Sequence, residues 1–455
     1  MLTLLRSSGL VLAAALSCSC VSDRPYQAGA DDTVSAPVDA GIGTGYVLSH
    51  VEFDDQGWFQ DPRQRQALFA RLQALHREKK SMLIVAYTHG WKHNAKEGDG
   101  NLRDFRKLLA QLTSIEHATG RPSGPRTVVG VYIGWRGSTI PIPIVENITF
   151  WTRKNAAERV GGRSIKQLFV ELNQFRAYAN GWSASDQLAE SKETQLVFIG
   201  HSFGGLITYT ALYSAILERG LQLDQAGRYR TAKSFGDFVL LVNPAFEGAS
   251  YEPIWQAALS RGCYPRWQRP VMAIVTSRAD KATRFAFPAG RFYTFAQSAP
   301  HDGERETVMH TVGHLERYRT HRLEMAKDAG APHSPADATR ADARAVTVLG
   351  PFRLTKTERP RDMAAVPERM PYLVVQAGPE LIADHNDFWN DDFRDFTVRF
   401  IVSQILKPQD VPALVRERAC ERACALAPQW RPEEDGCPAF DTGAPTQTAG
   451  LPQAK

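Results

Sequence analysis

One serine lies between glycines where an apolar run of the chain gives way to a helix-like one. The run LVFIGHSFGGLITYTAL contains GHSFG, which fits the pattern G-x-S-x-G with Ser202 at its centre. Gly200 and Gly204 are the small neighbours that a sharp strand-to-helix turn requires, and such a turn lifts the serine hydroxyl above the end of the strand. The pattern therefore predicts that Ser202 is a nucleophile and that the backbone amide of Phe203 faces an oxyanion.

The motif GHSFGG, with a strand before it and a helix after it, resembles the nucleophile elbow of the α/β-hydrolase family, in particular of its lipases and esterases. The resemblance covers most of residues 46–405. It implies a catalytic triad in the chain order serine, acid, histidine, and a second oxyanion donor in the loop after an early strand. Each of these parts has a candidate in the chain.

The segment THGWKHN supplies the candidate for the second oxyanion donor. In the family, a His-Gly-X motif follows an early strand and the backbone amide of X binds the oxyanion, which places that role on Trp91. Gly90 lets the backbone approach the substrate carbonyl, and the resemblance implies that His89 braces the loop through hydrogen bonds. His93 is interpreted as an ordinary polar residue of this loop.

Asp280 is the first candidate for the acid, because it follows the run PVMAIVTS, which is predicted to be the next-to-last strand. A carboxylate at that place can orient an imidazole and stabilise the imidazolium. The alternative acid is Glu247, in NPAFEG after the preceding strand, and the other interpretation of Asp280 is a solvated loop residue. Asp237 precedes its strand and therefore lies at the opposite edge of the predicted sheet.

His385 is the candidate base, because it follows the last predicted strand, YLVVQA, and precedes a helix. Other histidines lie ahead of that strand in a long insertion: His301, His310, His314, His321 and His333. Within HTVGH, His310 and His314 are one helical turn apart, as metal ligands can be, but the motif lacks the glutamate of H-E-x-x-H and contains a glycine. We therefore expect neither a metal nor a cofactor.

Apolar runs that alternate with amphipathic segments determine where these residues can meet. The strand-like runs are, in order, YVLSHVEFDD, SMLIVAYTHG, RTVVGVYIGW, TQLVFIG, GDFVLLVNP, PVMAIVTS and PYLVVQA. Between the first two, QRQALFARLQALHREKK places Leu68, Leu72 and Leu75 on one helical face. Alternation of this kind predicts an α/β fold with a doubly wound, mostly parallel sheet, expected from the resemblance to be of α/β-hydrolase type over residues 46–408.

Two segments interrupt this alternation. The Pro-rich segment IPIPIVENITFW, between the third and fourth strands, is poor material for a regular core element, and it is expected either to cover the site or to dock on the sheet. Residues 281–370 form a long insertion before the last strand. Because this insertion leaves the sheet beside the proposed acid, we expect it to act as a cap, with the patch around Tyr318 and Leu323 selecting the substrate.

Composition narrows the class of protein. A chain of 455 residues, 43% of them hydrophobic, can bury one large core or two ordinary ones, and a net charge of +5 without clusters of Lys and Arg argues against nucleic acid as a partner. Residues 1–20 are typical of a signal peptide, so we expect an exported protein. Two alternatives are open: plain cleavage, which gives a periplasmic protein, and a lipoprotein signal with Cys18 or Cys20 as the lipidated residue, which gives a membrane-anchored one. Residues 21–45 are interpreted as a flexible linker, and residues 409–455 as a Cys-containing appendage with a disordered tail.

Four cysteines remain after removal of the signal peptide: Cys263, Cys420, Cys424 and Cys437. An even number in an oxidising compartment favours disulfides, and three connectivities are open. A zinc site is the alternative interpretation, although Cys420 and Cys424 lack the paired short spacing of zinc modules.

Together, the motifs predict a serine hydrolase that transfers the acyl group of a carboxylic ester to water through a Ser-His-Asp triad and an acyl-enzyme. Small-molecule esters and lipid esters are the expected substrates, although thioesters, amides and lactones use the same groups. The alternative is a surface-anchored binding or scaffold protein that keeps the hydrolase fold without turnover. Nothing in the sequence indicates the oligomeric state.

Overall fold

A computed structural model describes most of the chain between residues 24 and 405. The described residues are 24–27, 38–39, 45–118, 124–137, 143–181, 194–223, 229, 231–261, 264, 268–295, 303–326, 346–360, 363 and 365–405. The predicted signal peptide, all six cysteines and the predicted appendage at 409–455 lie outside these residues, so the expectations about them remain predictions.

The strands form one mostly parallel sheet with the spatial order β1-β2-β4-β3-β5-β6-β7-β11-β8-β10-β9. The strands from β2 across to β8 in this order are parallel, whereas β1 at one end and β10 and β9 at the other are antiparallel to their neighbours. Their bounds are β1 Val38–Asp39, β2 Gly45–Phe53, β3 Met82–Thr88, β4 Thr127–Trp135, β5 Gln195–His201, β6 Phe238–Val242, β7 Met272–Ser277, β8 His321–Met325, β9 Val346–Leu349, β10 Phe352–Lys356 and β11 Tyr372–Ala377.

Helices connect the parallel strands and cover the sheet. They are α1 Pro62–Arg77, α2 Gly100–Ala118, α3 Pro143–Gly162, α4 Ser164–Ala179, α5 Phe203–Gly220, α6 Gly248–Arg261, α7 Phe287–Phe295, α8 Arg305–Met309 and α9 Asp391–Ile405, with short 3-10 or π turns after β7 and around β8 and α9. The first helix begins as its sequence dictates, because Asp61 accepts a hydrogen bond from the backbone amide of Arg63 and Pro62 occupies the first helical position.

Each central strand contributes to two cores, one on each face of the sheet. In β3, successive side chains alternate between them: Met82, Ile84 and Ala86 pack with α1 and α3 to α6, and Leu83, Val85 and Tyr87 pack with α2 and α9. Successive side chains of a strand point to opposite faces, so a strand covered on both faces must be apolar throughout. This requirement explains the continuous apolar runs of the sequence and confirms the predicted α/β fold.

The segment IPIPIVENITFW forms part of a regular helix, although its sequence is poor material for a regular core element. Its described part is the first half of α3, a regular helix of 20 residues that starts at Pro143. Proline is compatible with the first turn of a helix, where its missing amide hydrogen would have no partner, so the Pro-rich sequence marks a helix start. The segment is thus an element of the layer that covers the sheet.

The insertion at 281–370 extends the sheet. Beyond β11 it adds β8, β10 and β9, and β8 pairs in parallel with β11. Tyr318 and Leu323 are fully buried, Tyr318 against Tyr251 and Trp255 and with its hydroxyl bonded to Glu252. These two side chains are core residues and not part of a cap, and a cap role for the rest of the insertion stays a prediction.

The predicted linker at 21–45 is partly anchored to the fold. The backbone amides of Tyr26 and Gln27 donate to the Glu52 carboxylate at 3.0 and 2.9 Å, and Gln27 Nε2 donates to the carbonyl of Ala95 at 2.9 Å. Val38–Asp39 pairs with the start of β2. A flexible linker is therefore the wrong description for these residues. None of the helices in the described part of the chain is both long and apolar enough to cross a membrane.

Candidate active site

Three side chains from distant parts of the chain meet at the carboxyl edge of the sheet. Ser202 directly follows β5, Asp280 follows β7 and His385 follows β11. His385 Nε2 lies 2.8 Å from Ser202 Oγ, and His385 Nδ1 lies 2.9 Å from Asp280 Oδ2. The serine hydroxyl thus donates to a ring nitrogen whose partner nitrogen donates to a carboxylate, which is the arrangement that activates a serine.

The backbone of Ser202 has a conformation that side-chain-bearing residues rarely adopt. Its φ is 54° and its ψ is −120°, at the junction between β5 and α5. Hydrogen bonds overdetermine this geometry, because the Ser202 amide donates to the Val242 carbonyl at 3.1 Å and the Ser202 carbonyl accepts from Ala245 N at 3.1 Å. Strain of this kind persists only where the surroundings hold it, and here it presents the hydroxyl above the strand end.

The glycines beside Ser202 are required by close approach of backbone. A Cβ at Gly200 would lie 2.6 Å from the Gly204 carbonyl oxygen, and one at Gly204 would overlap the carbonyl oxygens of Thr88 and His89. A larger residue at Gly200 would push α5 away from β5, and one at Gly204 would push it away from the end of β3. The sequence-based role of both glycines in the turn is therefore matched by the geometry.

Asp280 is fully buried and held in its ionised form. Burial alone would raise its pKa, but the His385 ring and two hydrogen bonds from Thr283 outweigh burial and lower the pKa to about 2. Thr283 donates through its backbone amide at 3.0 Å and through its hydroxyl. The hydroxyl accepts in turn from His314 Nε2, 2.9 Å away. Burial lowers the pKa of His314 to about 4, so this ring is neutral at pH 7 and its proton lies on Nε2.

Glu247, the alternative acid, and Asp237 both have other partners. Glu247 forms ion pairs with Lys154 and Arg291, at 3.0 and 3.2 Å. Asp237 pairs with Arg176 and accepts from the backbone amide of Leu196. It therefore connects the amino ends of β5 and β6. Asp280 is the carboxylate that the structure places against His385.

The loop after β3 brings Gly90, the residue before Trp91, next to Ser202. A Cβ at Gly90 would lie 3.0 Å from Ser202 Cβ, so the glycine is what lets this backbone reach the serine. Within the described residues, the amides of Trp91 and Phe203 donate no hydrogen bond. Backbone amides that lack an acceptor among the described residues and lie near a serine hydroxyl can bind the oxygen of a tetrahedral intermediate.

His89 holds this loop against the end of β4 through hydrogen bonds. Its Nδ1 donates to the Gly90 carbonyl at 2.9 Å, its Nε2 accepts from the Trp135 amide at 3.1 Å, and its carbonyl accepts from Trp135 Nε1 at 2.9 Å. Burial lowers the pKa of His89 to about 4, so the ring is neutral at pH 7 and can donate and accept at once. His93 belongs to a second brace, in which Nδ1 contacts Asp99 at 3.1 Å and Nε2 accepts from Asn101 at 2.9 Å.

Helix α3 reaches the same region through Phe150. The Phe150 ring contacts the rings of Trp91 and Phe203, with centroids 5.4 and 4.8 Å apart, and that of Phe287, 6.4 Å away. Ion pairs fix the helix, since Arg153 binds Asp55 at 2.7 Å and the largely buried Lys154 binds Glu247. Phe150 thus contacts both Trp91 and Phe203, the residues whose amides are the candidate oxyanion donors.

Several of these contacts could not be found by sequence reasoning. His314 and Thr283 lie in the insertion. No motif around them in the sequence indicates that Thr283 donates to Asp280 or that His314 donates to Thr283. His310 and His314 were considered as metal ligands by spacing alone, but His314 Nε2 is bonded to Thr283. Within the described residues, no group of three or more His, Cys, Asp and Glu side chains is arranged to hold a metal ion.

No family model, curated protein or solved structure matches the chain.

Proposed function

We propose that the chain is a serine hydrolase of the α/β-hydrolase type that cleaves carboxylic esters. The observation that carries this proposal is the continuous set of hydrogen bonds from Ser202 through His385 to Asp280 at the carboxyl edge of the sheet. The Ser-acid-His order along the chain, the strained backbone at Ser202 and the two amides beside it support the same function.

In the first half of the reaction, Ser202 Oγ attacks the ester carbonyl carbon while His385 Nε2 accepts the hydroxyl proton. The carbonyl oxygen becomes an oxyanion between the Trp91 and Phe203 amides. Asp280 stabilises the imidazolium, and its low pKa keeps it ionised during the step. When the intermediate collapses, the bond to the alcohol breaks, His385 gives its proton to the leaving oxygen, and an acyl-enzyme remains.

In the second half, water takes the place of the alcohol. His385 accepts a proton from the water as its oxygen attacks the acyl carbon, and the same two amides bind the second oxyanion. Collapse of this intermediate breaks the bond to Ser202 Oγ, which regains its proton from His385. The products are a carboxylic acid and the free enzyme.

The aromatic side chains beside the oxyanion amides favour an ester whose acyl part is apolar. Trp91, Phe150 and Trp151 are partly exposed; the Phe150 ring contacts the buried Phe203 ring, and Trp91 and Trp151 contact Phe150. Apolar groups gain free energy when they leave water for such a surface. Lipid esters share this chemistry and remain within the proposed substrate class.

A fluorophosphonate probe tests the proposal directly. An activated Ser202 displaces fluoride from phosphorus and becomes covalently labelled, so the purified protein is expected to be labelled on Ser202 and to hydrolyse p-nitrophenyl esters. Ser202→Ala should abolish labelling and lower turnover by about 10⁴-fold or more. Ser214→Ala, which removes an exposed serine from the same helix, is the matched control and should behave as the native protein. Absence of labelling in the folded native protein would support the scaffold alternative.

We also propose that the protein is exported. The support is the sequence of residues 1–20, with a short apolar run before Cys18 and Cys20. Mass spectrometry of the mature N-terminus checks this proposal: a chain that lacks residues 1–17 or a similar stretch is expected, a diacylated Cys18 or Cys20 at its start would identify the lipoprotein alternative, and an intact Met1 in the mature protein would overturn export.

A further inference from the structure

The backbone carbonyl of His385 receives hydrogen bonds from two side chains. His201 Nε2 lies 2.9 Å from this oxygen, and Asn243 Nδ2 lies 3.0 Å from it. A carbonyl oxygen only accepts hydrogen bonds, so each of the two nitrogens must carry the hydrogen that it donates. The contact therefore fixes the tautomer of one ring and the orientation of one amide.

Asn243 is a rigid anchor for this contact. It is fully buried at the end of β6 and has a φ of 44°, in the left-handed region. Its backbone amide donates to the Val275 carbonyl at 2.8 Å, and its Oδ1 accepts from the Ser277 amide at 2.9 Å. One side chain thus connects the ends of β6 and β7 with the loop that carries His385.

His201 is the second anchor, and it immediately precedes Ser202. Its ring is buried, stacks on Phe388 with centroids 4.0 Å apart, and lies against Gly90, where a Cβ would be 2.7 Å from Nδ1. Burial, followed by the neighbouring His385 ring, lowers the pKa of His201 well below the usual value. The ring is consequently neutral at pH 7, with its proton on the nitrogen that faces the carbonyl.

The turn around His385 needs such an anchor. Asp384 and Asn386 are exposed, and the Asp384 carboxylate accepts from the amides of Asn386 and Asp387, which stabilises the turn only locally. Through its carbonyl oxygen, His385 attaches this exposed turn to Asn243 at the end of β6 and to His201, the residue before Ser202. An imidazole displaced by about 1 Å can cost roughly 100-fold in rate.

We propose that His201 and Asn243 are positioning residues that hold the backbone of His385 so that its ring meets Ser202 and Asp280 together. The inference rests on the proposed function, since it assigns a task within the same site. Neither residue touches the reacting atoms; both act through His385.

The test is to remove the donor at His201 while keeping a ring. His201→Phe should lower kcat for p-nitrophenyl esters about 100-fold with KM changed less than about threefold. The reason is that a displaced His385 ring slows proton transfer from Ser202 but does not alter substrate binding. His201→Gln, which keeps an N–H donor, should recover part of the loss. The matched control is His321→Phe, which replaces a histidine bonded to Thr320 away from the triad, and its kcat should be unchanged.

A double variant separates positioning from general damage. In a His385→Ala background the carbonyl no longer positions a base, so adding His201→Phe should cause no further loss of kcat. A kcat for His201→Phe within about twofold of the native value, or an equal further loss in the His385→Ala background, would overturn the inference.

Asn243→Asp provides the second variant if His201→Phe does not fold. Aspartate keeps the acceptor for Ser277 but replaces the donor to His385 with a charged oxygen, so kcat should fall by about 100-fold or more. Native kcat in that variant would equally overturn the inference. The proposed function fails separately, through lack of labelling of the native protein, so the two failures are distinguishable.

Discussion

The rings of Phe150 and Phe203 lie 4.8 Å apart, centroid to centroid, and this contact links α3 to the start of α5. Phe203 carries one of the two amides beside Ser202. The ring of Trp91, which carries the other amide, also contacts the Phe150 ring, with centroids 5.4 Å apart. One aromatic side chain on a helix fastened by buried ion pairs therefore supports both halves of the proposed oxyanion site.

The first prediction follows from this contact. Phe150→Ala should lower kcat for p-nitrophenyl esters about 10-fold. The Trp91 and Phe203 rings lose a packing partner, so their backbone amides are held less firmly in the direction of the oxyanion. Affinity for a boronic acid, which forms a tetrahedral adduct, should fall by a similar factor. Phe59→Ala, a partly buried phenylalanine that contacts Phe53 and Arg65, is the control for lost packing and should leave kcat unchanged.

The second prediction compares the two carboxylates that follow neighbouring strands. Asp280→Asn should lower kcat by about 10⁴-fold, because an amide can donate to His385 Nδ1 and stabilise the wrong tautomer. Glu247→Gln should keep nearly native kcat but lower thermal stability, since Lys154 and Arg291 each lose one of their ion pairs. Steady-state kinetics and melting temperatures of both variants check this ranking, and the reverse ranking of kcat would assign the acid to Glu247.

Much of the fold and of the candidate site could be predicted from sequence because local patterns determine them. Continuous apolar runs identify strands covered on both faces, and each of the seven predicted strands lies in the sheet. The parallel order then places the residues after β5, β7 and β11 at one edge. Ser202 is predicted by the G-x-S-x-G motif, and Asp280 and His385 by the chain order that the family resemblance implies together with their positions after strands; hydrogen bonds join the three side chains.

The contacts that support the site could not be predicted in this way, since they join residues far apart in the chain. His201 and the His385 carbonyl are 184 residues apart, and the acceptor is a backbone atom that every residue possesses. The same holds for Thr283 and His314, whose contact depends on how the insertion folds back against β7 and β11. Strands β8, β9 and β10 were missed because they are short and only partly apolar, as strands at the margin of a sheet can be.

The third prediction concerns the buried hydroxyl that supports Asp280. Thr283→Val keeps the shape of the side chain but removes its donor, so the pKa of Asp280 should rise from about 2 and kcat should fall about 10-fold. Thr283→Ser keeps the hydroxyl and should remain near native kcat.

The pH dependence of the Thr283→Val effect has a definite sign. The pKa of Asp280 is lower in the folded chain than its usual value of 3.8, so ionised Asp280 stabilises the fold above that pH, and this contribution is lost as the pH falls toward about 2. The stability difference between Thr283→Val and the native protein should therefore be largest above about pH 4 and shrink below about pH 3. Denaturant titrations at several pH values measure it, and a difference that grows on acidification would contradict the assignment.

The last prediction concerns two buried histidines. Burial lowers the pKa of both His89 and His314 to about 4, in the case of His314 against the opposing effect of Asp280. Each ring binds a proton more weakly in the folded chain than in the unfolded one, where the usual value is 6.5. Between about pH 6.5 and 4 the unfolded chain therefore binds more protons, and the free energy of unfolding decreases as the pH falls. Because one pKa unit corresponds to about 1.4 kcal/mol, His89 accounts for at most roughly 3 kcal/mol of this decrease.

Urea titrations between about pH 7 and 4.5 test this prediction. In His314→Gln, the amide can still donate to the Thr283 hydroxyl but does not titrate, so the decrease in unfolding free energy over this range should be smaller than in the native protein. His117→Gln replaces an exposed histidine at the end of α2 and should leave the pH dependence unchanged. If His314→Gln and His117→Gln showed the same slope as the native protein, His314 would not be the buried neutral ring that donates to Thr283, and the contacts that support Asp280 through Thr283 would have to be assigned anew.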